Sequence, residues 1–178
     1  MSKNRRFDLV LFTIGHSNHE VGNFVDLLVA QGVTHLVDVR SVPYSKFMID
    51  FKKDALSEYL QRRGFTYEWV GDSLGGKRDL QTTAAGLRND EAVFEDQHFR
   101  SGIVGLMRTC LRRPTAIMCS EEDPRGCHRH KLITAALLRK VVPECHKLDS
   151  ITVQHIRGDG TVEDASRVKV TVQGVLEF

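Results

Sequence analysis

A chain of 178 residues with 41% apolar and 27% charged residues has the size and composition of one globular domain, which excludes fibrous and intrinsically disordered classes. Its formal charge of +2 carries no global polyanion-binding signature, although a local basic face stays open. The basic start, Ser2 to Arg6, runs into a short apolar stretch that Asp8 interrupts, so no signal peptide or membrane span can be built there. Four cysteines and no export signal point to free thiols in a reducing cytoplasm, with no membrane partner expected.

Residues 8–14 form an apolar run of strand length that stops at Gly15. Ser17 and Glu20 have the spacing of a capping box, and Phe24, Val25 and Leu28 then share a helical face that Gly32 closes. Residues 34–39 are a second strand, and 40–45 leave it as a loop. Asp50 is placed to cap a helix over 51–63, ended by Gly64. Residues 65–70 read as an aromatic-rich third strand. Residues 71–90 show no clean period and contain Gly75, Gly76 and Lys77, which reads as a long functional loop. A helix over 99–111, a strand over 115–119 and a helix from the next turn to about 142 follow, the last ended by Pro143. Residues 151–156 are a further strand, and Val168, Val170 and Val172 alternate like an edge strand.

Strand and helix therefore alternate from the start. The pattern predicts one α/β domain over 1–178, a mostly parallel sheet with helices on both faces. In such folds ligands sit beyond the carboxyl ends of the strands. His16, the stretch 38–45, Trp69 to Gly76, Cys119 to His130 and His155 to Gly158 all follow predicted strands, so they should meet at one sheet edge.

The densest chemistry lies at Cys119, Glu121, Asp123, Cys127, His128 and His130, within twelve positions. A cysteine at a strand end facing a helix N-terminus is where a thiolate is stabilised. The plainer reading, a buried structural thiol, is the one that suits Cys110 on its apolar stripe. Cys119 and Arg125 make the C-x5-R spacing of cysteine phosphatases, but Glu121, Glu122 and Asp123 would repel a phosphate cradled there, so that reading is rejected. Asp123 followed by Pro124 suits a helix cap and first turn. Zinc held by Cys119, Cys127 and a histidine is an alternative, although C-x7-C lacks the short spacing of common structural sites; the favoured site holds no metal. Asp38 and Arg40, two apart on a strand, point the same way and suit an ion pair. Lys77, Arg78 and Arg88, near Tyr67 and Trp69, could contact a phosphate and stack on a base, or be a solvated loop over core aromatics.

Thr13 to Ser17, Asp38 to Pro43, Leu74 to Gly76, the Cys119-x-Glu121-x-Asp123-Pro124 run, Cys127 to Arg129 and His155-Ile156 together resemble the family catalogued as domain of unknown function 488. The resemblance covers nearly the whole chain, and motifs in this order are specific. It implies His16, Asp38, Arg40, Ser45, Cys119, Glu121, Cys127, His128 and Arg129 as motif positions and implies no reaction. The Val-Asp-Val-Arg stretch and strand-end cysteine are also faintly similar to rhodanese domains.

The expected function is a thiol-dependent cytoplasmic enzyme, a transferase or hydrolase. Cys119 or Cys127 is its thiolate, His16 or His128 its proton carrier, and Glu121 an acid/base or orienting group. Arg40, Asp38, Ser45, Arg129 and Lys77 are the substrate-binding candidates, and a nucleotide or nucleic acid is the favoured substrate class. No cofactor is required on this reading. The alternative is a Cys/His metal-bound module that binds nucleic acid or protein. Glu121 is expected to pair with Arg40 or Arg129, and Cys119 and Cys127 to lie close enough to influence each other.

Overall fold

The computed structural model describes residues 7–77 and 90–169. Six strands form one sheet: β1 (Asp8–Gly15), β2 (His35–Asp38), β3 (Thr66–Trp69), β4 (Thr115–Cys119), β5 (Ser150–Ile156) and β6 (Val162–Asp164). Their order is β3-β2-β4-β1-β5-β6, and every pairing is parallel except that of β5 with β6. The α/β fold with a mostly parallel sheet is therefore the observed one.

Alternation along the strands feeds two cores. In β4, Ala116 and Met118 join one apolar cluster with Phe24, Leu28, Leu56 and Leu60, from α1 (Val21–Ala30) and α2 (Lys53–Arg62). Ile117 and Cys119 join the other, which includes Leu74 of α3 (Gly71–Leu74), Val93 and Phe94 of α4 (Asp90–Glu95), Phe99 and Ile103 of α5 (Gln97–Cys110), and Ala136 and Leu137 of α6 (Ala135–Leu138). Cys119 is thus a face-alternation neighbour of core residues and also the last residue of a central strand.

Several local expectations are corrected. Ser17 does not cap α1; it takes a left-handed φ of 44° at the corner after β1, and Glu20 occupies the N-cap without a side-chain bond. Asp50 lies in a 3-10 turn (Ile49–Phe51), and α2 begins only after Lys52. The helix from 99 is preceded by α4 and starts two residues earlier, because the Asp96 carboxylate accepts the backbone N–H groups of His98 at 2.7 Å and Phe99 at 3.1 Å. Gly32 and Gly64, with φ of 68° and 79°, end α1 and α2 as expected. Of the loop expected over 71–90, the start is α3, and 78–89 fall outside the described residues, as do Val170 and Val172. The antiparallel edge strand is β6, which the alternation at 168–172 did not indicate.

The helix expected after β4 is broken into pieces. Asp123 and Pro124 open a 3-10 turn (Pro124–Gly126), with the Asp123 carboxylate accepting the Arg125 N–H at 2.9 Å. A π-helical turn (Arg129–Thr134) follows, and only then α6. Thr134 Oγ1 donates to the Arg129 carbonyl at 2.8 Å, closing the wide turn from within.

Candidate functional site

Parallel pairing brings four strand ends to one edge: Gly15 lies beside Cys119, and Asp38 beside both Met118 and Trp69. His16 N–H and Ser17 N–H then donate to the carbonyls of Cys119 and Ser120, both at 2.9 Å. A Cβ on Gly15 would stand 1.8 Å from the Glu121 carbonyl oxygen, so only glycine lets the 120–123 loop lie this close. Arg129, fully buried, donates its guanidinium to the carbonyls of Glu121 and Glu122, the second at 2.6 Å. This guanidinium is spent on the loop, and its aim is structural.

The clamped loop turns the Glu121 carboxylate inward. Oε2 accepts from Cys119 Sγ at 2.8 Å and from Cys127 Sγ at 3.2 Å. The pairing of Glu121 with an arginine side chain is therefore not what forms; its carboxylate faces the sulfurs, and Arg129 reaches only its carbonyl. His128 Nδ1 stands 3.5 Å from Cys119 Sγ and 3.9 Å from Cys127 Sγ, with Nε2 against the Val39 carbonyl at 3.0 Å. Both cysteines are free thiols and buried.

These contacts divide the two thiols. The hydrogen bond from Cys119 brings the Cys127 thiol down to about 6; burial opposes this, while His128 and the Arg129 charge assist. That same bond with Cys127, then burial, then the charges of Cys127 and Glu121, push the Cys119 thiol far up. The pair therefore releases one proton easily and holds the other. Burial alone would raise the Glu121 carboxyl, but hydrogen bonds from Cys119, its own backbone and Cys127 hold it below its ordinary value.

Beside the thiols lies a second buried unit. Asp38, fully buried, accepts Arg40 Nε at 2.9 and 3.1 Å and Nη2 at 2.6 Å. The Asp38 carboxylate also accepts the Tyr67 hydroxyl at 2.7 Å, and Arg40 Nη2 donates to the Phe51 carbonyl at 2.8 Å. The His16 ring stacks on Phe51 with centroids 4.5 Å apart, and its Nε2 is 3.4 Å from Arg40 Nη1. Burial, then the Arg40 charge, lower His16 to about 4, so the imidazole is neutral at pH 7. The expected Asp38–Arg40 ion pair is present, extended by Tyr67 and His16.

A cleft of about 510 Å³ opens over both units, lined by Arg40, Ser41, Tyr44, Lys77, Cys119, Glu121 and His128 among others. Its volume is in the range of small-ligand sites. Cys127, His16 and Arg129 are buried and do not line it, nor does Ser45, whose hydroxyl accepts the Met48 N–H at 2.9 Å. His155 does not join this edge group. It is buried between Thr13 Oγ1 at 2.7 Å and His130 Nδ1 at 3.0 Å. Sequence reasoning missed Ser41, whose hydroxyl accepts the Lys77 N–H at 2.8 Å, and the Tyr44 side chain. Gly76 was a readable signal: a Cβ there would meet His128 Cγ at 2.8 Å and Nδ1 at 2.9 Å, so the glycine lets the chain pass close to the ring.

The Cys119, Cys127 and His128 ligand atoms all lie within 4.8 Å of one another, so these three, with Glu121 Oε2 at hand, could hold a soft metal ion. Among the described residues no helix is long and apolar enough to cross a membrane. Neither a search of curated proteins nor a search of solved structures returned a match. One family model does match, over residues 20–136, which leaves His16 and His155 outside it. The chain belongs to the family described as Domain of unknown function DUF488.

Proposed function

We propose that the protein is a thiol-dependent enzyme, a transferase or hydrolase, acting on an anionic substrate in this cleft. The observation that carries the reading is the setting of Cys119. It is the thiol at the cleft wall, and it has a carboxylate oxygen at 2.8 Å, an imidazole nitrogen at 3.5 Å and a second thiol beside it. A nucleophile with more than one proton acceptor in reach is the arrangement that covalent catalysis requires. In the attack a bond forms between Cys119 Sγ and an electrophilic carbon, away from the phosphoryl centre that Glu121 would repel. The proton of Cys119 passes to His128 Nδ1, 3.5 Å away, and the leaving group departs with the bond's electrons. Water or an acceptor then releases the acyl group from sulfur. Lys77, exposed at the cleft, and Arg40, fixed by Asp38, are placed for the anionic part. His16 and Arg129 act as positioning residues.

The test is trapping with panels of activated acyl esters. A covalent adduct on Cys119, seen by mass spectrometry and lost in Cys119→Ser, is expected. Equal turnover by the Cys119→Ser protein overturns the reading.

One observation favours a second reading, a bound zinc ion. The Val39 carbonyl can only accept, so His128 presents Nδ1 as a lone pair toward the two sulfurs, as metal-ligating histidines do. Metal analysis of purified protein separates the two: one zinc per chain supports the metal, and metal-free protein with reactive thiols supports the enzyme.

A further inference from the structure

We propose that the loop joining β2 to α2, residues 41–52, is a binding surface for single-stranded nucleic acid, one end of which enters the cleft. The proposal rests on the cleft being the functional site and names the substrate class it serves.

Four large apolar side chains of this loop stand in solvent: Val42 is 58% exposed, Tyr44 60%, Phe47 87% and Ile49 60%. Exposed apolar residues scattered singly are ordinary, but four within eight positions of one loop are a patch. The backbone under them is ordered. The Ser45 hydroxyl accepts the Met48 N–H at 2.9 Å, the Pro43 carbonyl accepts the Lys53 N–H at 3.0 Å, and Phe51 is buried with its carbonyl on Arg40. The rings are therefore held outward by the fold.

Cations are interleaved with the rings. Lys46 Nζ is 5.9 Å from the Phe47 ring centroid, Lys52 Nζ 5.0 Å from that of Tyr44, and Lys53 Nζ 5.0 Å from that of Trp69. Asp50 and Asp54 are the acidic residues of the same stretch; at the cleft Lys77 adds to the positive side, while Arg40 is paired with Asp38 and Glu121 lines the floor beside the sulfurs. Aromatic faces for bases with ammonium groups beside them for phosphates are what sequence-tolerant single-strand binding uses. The lysines speak against a protein partner, since interface centres are depleted in lysine.

Position decides the remaining alternatives. Val42 and Tyr44 also line the cleft that ends at Cys119, so the patch and the cleft are continuous. A flat membrane surface could meet Phe47 but could not follow Tyr44 inward. A free nucleotide would fill the cleft and leave Phe47 in water. A single strand covers both.

The experiment is fluorescence anisotropy of the full chain with labelled DNA and RNA oligonucleotides of about ten nucleotides, since sites of this kind span roughly 4–16. Binding that weakens with salt is expected, and Tyr44→Ala and Phe47→Ala should each weaken it by about 5- to 100-fold. Lys46→Ala should flatten the salt dependence by a slope of about 0.7. Phe47 is so exposed that its replacement leaves folding intact. Ester trapping at Cys119 and oligonucleotide anisotropy are both read on the parent protein, so failure of the thiol chemistry and failure of the strand surface are distinguished. No binding, or binding unchanged in the Tyr44→Ala, Phe47→Ala double variant, overturns the proposal. So does binding of anionic phospholipid vesicles without oligonucleotide binding.

Discussion

His128 gives Nε2 to the backbone carbonyl of Val39, 3.0 Å away. A carbonyl only accepts, so this contact places a hydrogen on Nε2 and aims Nδ1 at the sulfurs. His128→Gln should therefore cost thiolate stability at Cys127, whose lowering has His128 among its causes. The expected result is an upward move of the thiolate ultraviolet step from about pH 6. An unmoved step would mean that His128 does not touch the titration. Gly76→Ala tests the same ring from the other side, because its Cβ would stand 2.8 Å from His128 Cγ; it should disturb the step with little loss of melting temperature.

The thiol pair makes its own prediction. At neutral pH thiolate absorbance should account for one cysteine, gained as pH rises through about 6, since Cys127 is lowered and Cys119, Cys110 and Cys145 are all raised. Cys127→Ser should abolish that step. In Cys119→Ser it should shift upward, because the largest cause of the lowering is the bond from Cys119. A step at the ordinary cysteine value in the parent protein would contradict the geometry.

Asp38→Ala should be among the most damaging changes at the site. It strands the Arg40 guanidinium, 3% exposed, without its carboxylate, and removing one partner of a buried pair costs about 3–5 kcal/mol. Tyr67→Phe removes only the hydroxyl bond to Asp38 and should cost about 1 kcal/mol. Denaturant unfolding of both variants measures the ratio, and equal losses would argue against the Arg40 pair as the larger element.

Acid should destabilise the protein before its carboxylates protonate. Burial first, then the charges of His130, Arg129 and Arg157, lower His155 from 6.5 to about 3, with Asp164 opposing. His16 and His130 are lowered as well. The unfolded chain takes up these protons near pH 6.5 and the native one does not, so stability falls as pH drops below 6.5 and continues to fall toward the native values. Each such histidine contributes about 1.4 kcal/mol per pH unit within that window. Melting temperatures between pH 7 and pH 5 should show the decline, and His155→Gln should show a shallower one. A flat profile would mean these histidines are charged in the native state.

Much of this was readable in the residues. Strand-length apolar runs ending at Gly15, Val39 and Cys119 indicated the sheet edge, because a parallel sheet must put such ends together. Asp123-Pro124 gave the turn, because cap chemistry is local. What was not readable depended on contacts across the chain. The role of Arg129 is set by two carbonyls of a loop seven and eight positions earlier. The inward turn of Glu121 depends on Gly15, more than a hundred positions away. The segment after Cys127 has a helical period, and one inserted residue changes a helix's turn without changing its composition.

That inserted residue sets the phase of the whole segment. Cys127 and His128 stand before the π-helical turn, and Ile133 and Leu137 stand within or beyond it, buried in the apolar core. A regular α-helix would rotate the two groups rigidly together, so aiming one would misaim the other. The wide turn works as a slip in the screw thread, letting the first half be set by the cleft and the second by the core. A single-residue deletion between Arg129 and Thr134 would remove the slip. The chain would then have to choose between seating Leu137 and facing His128 toward the sulfurs.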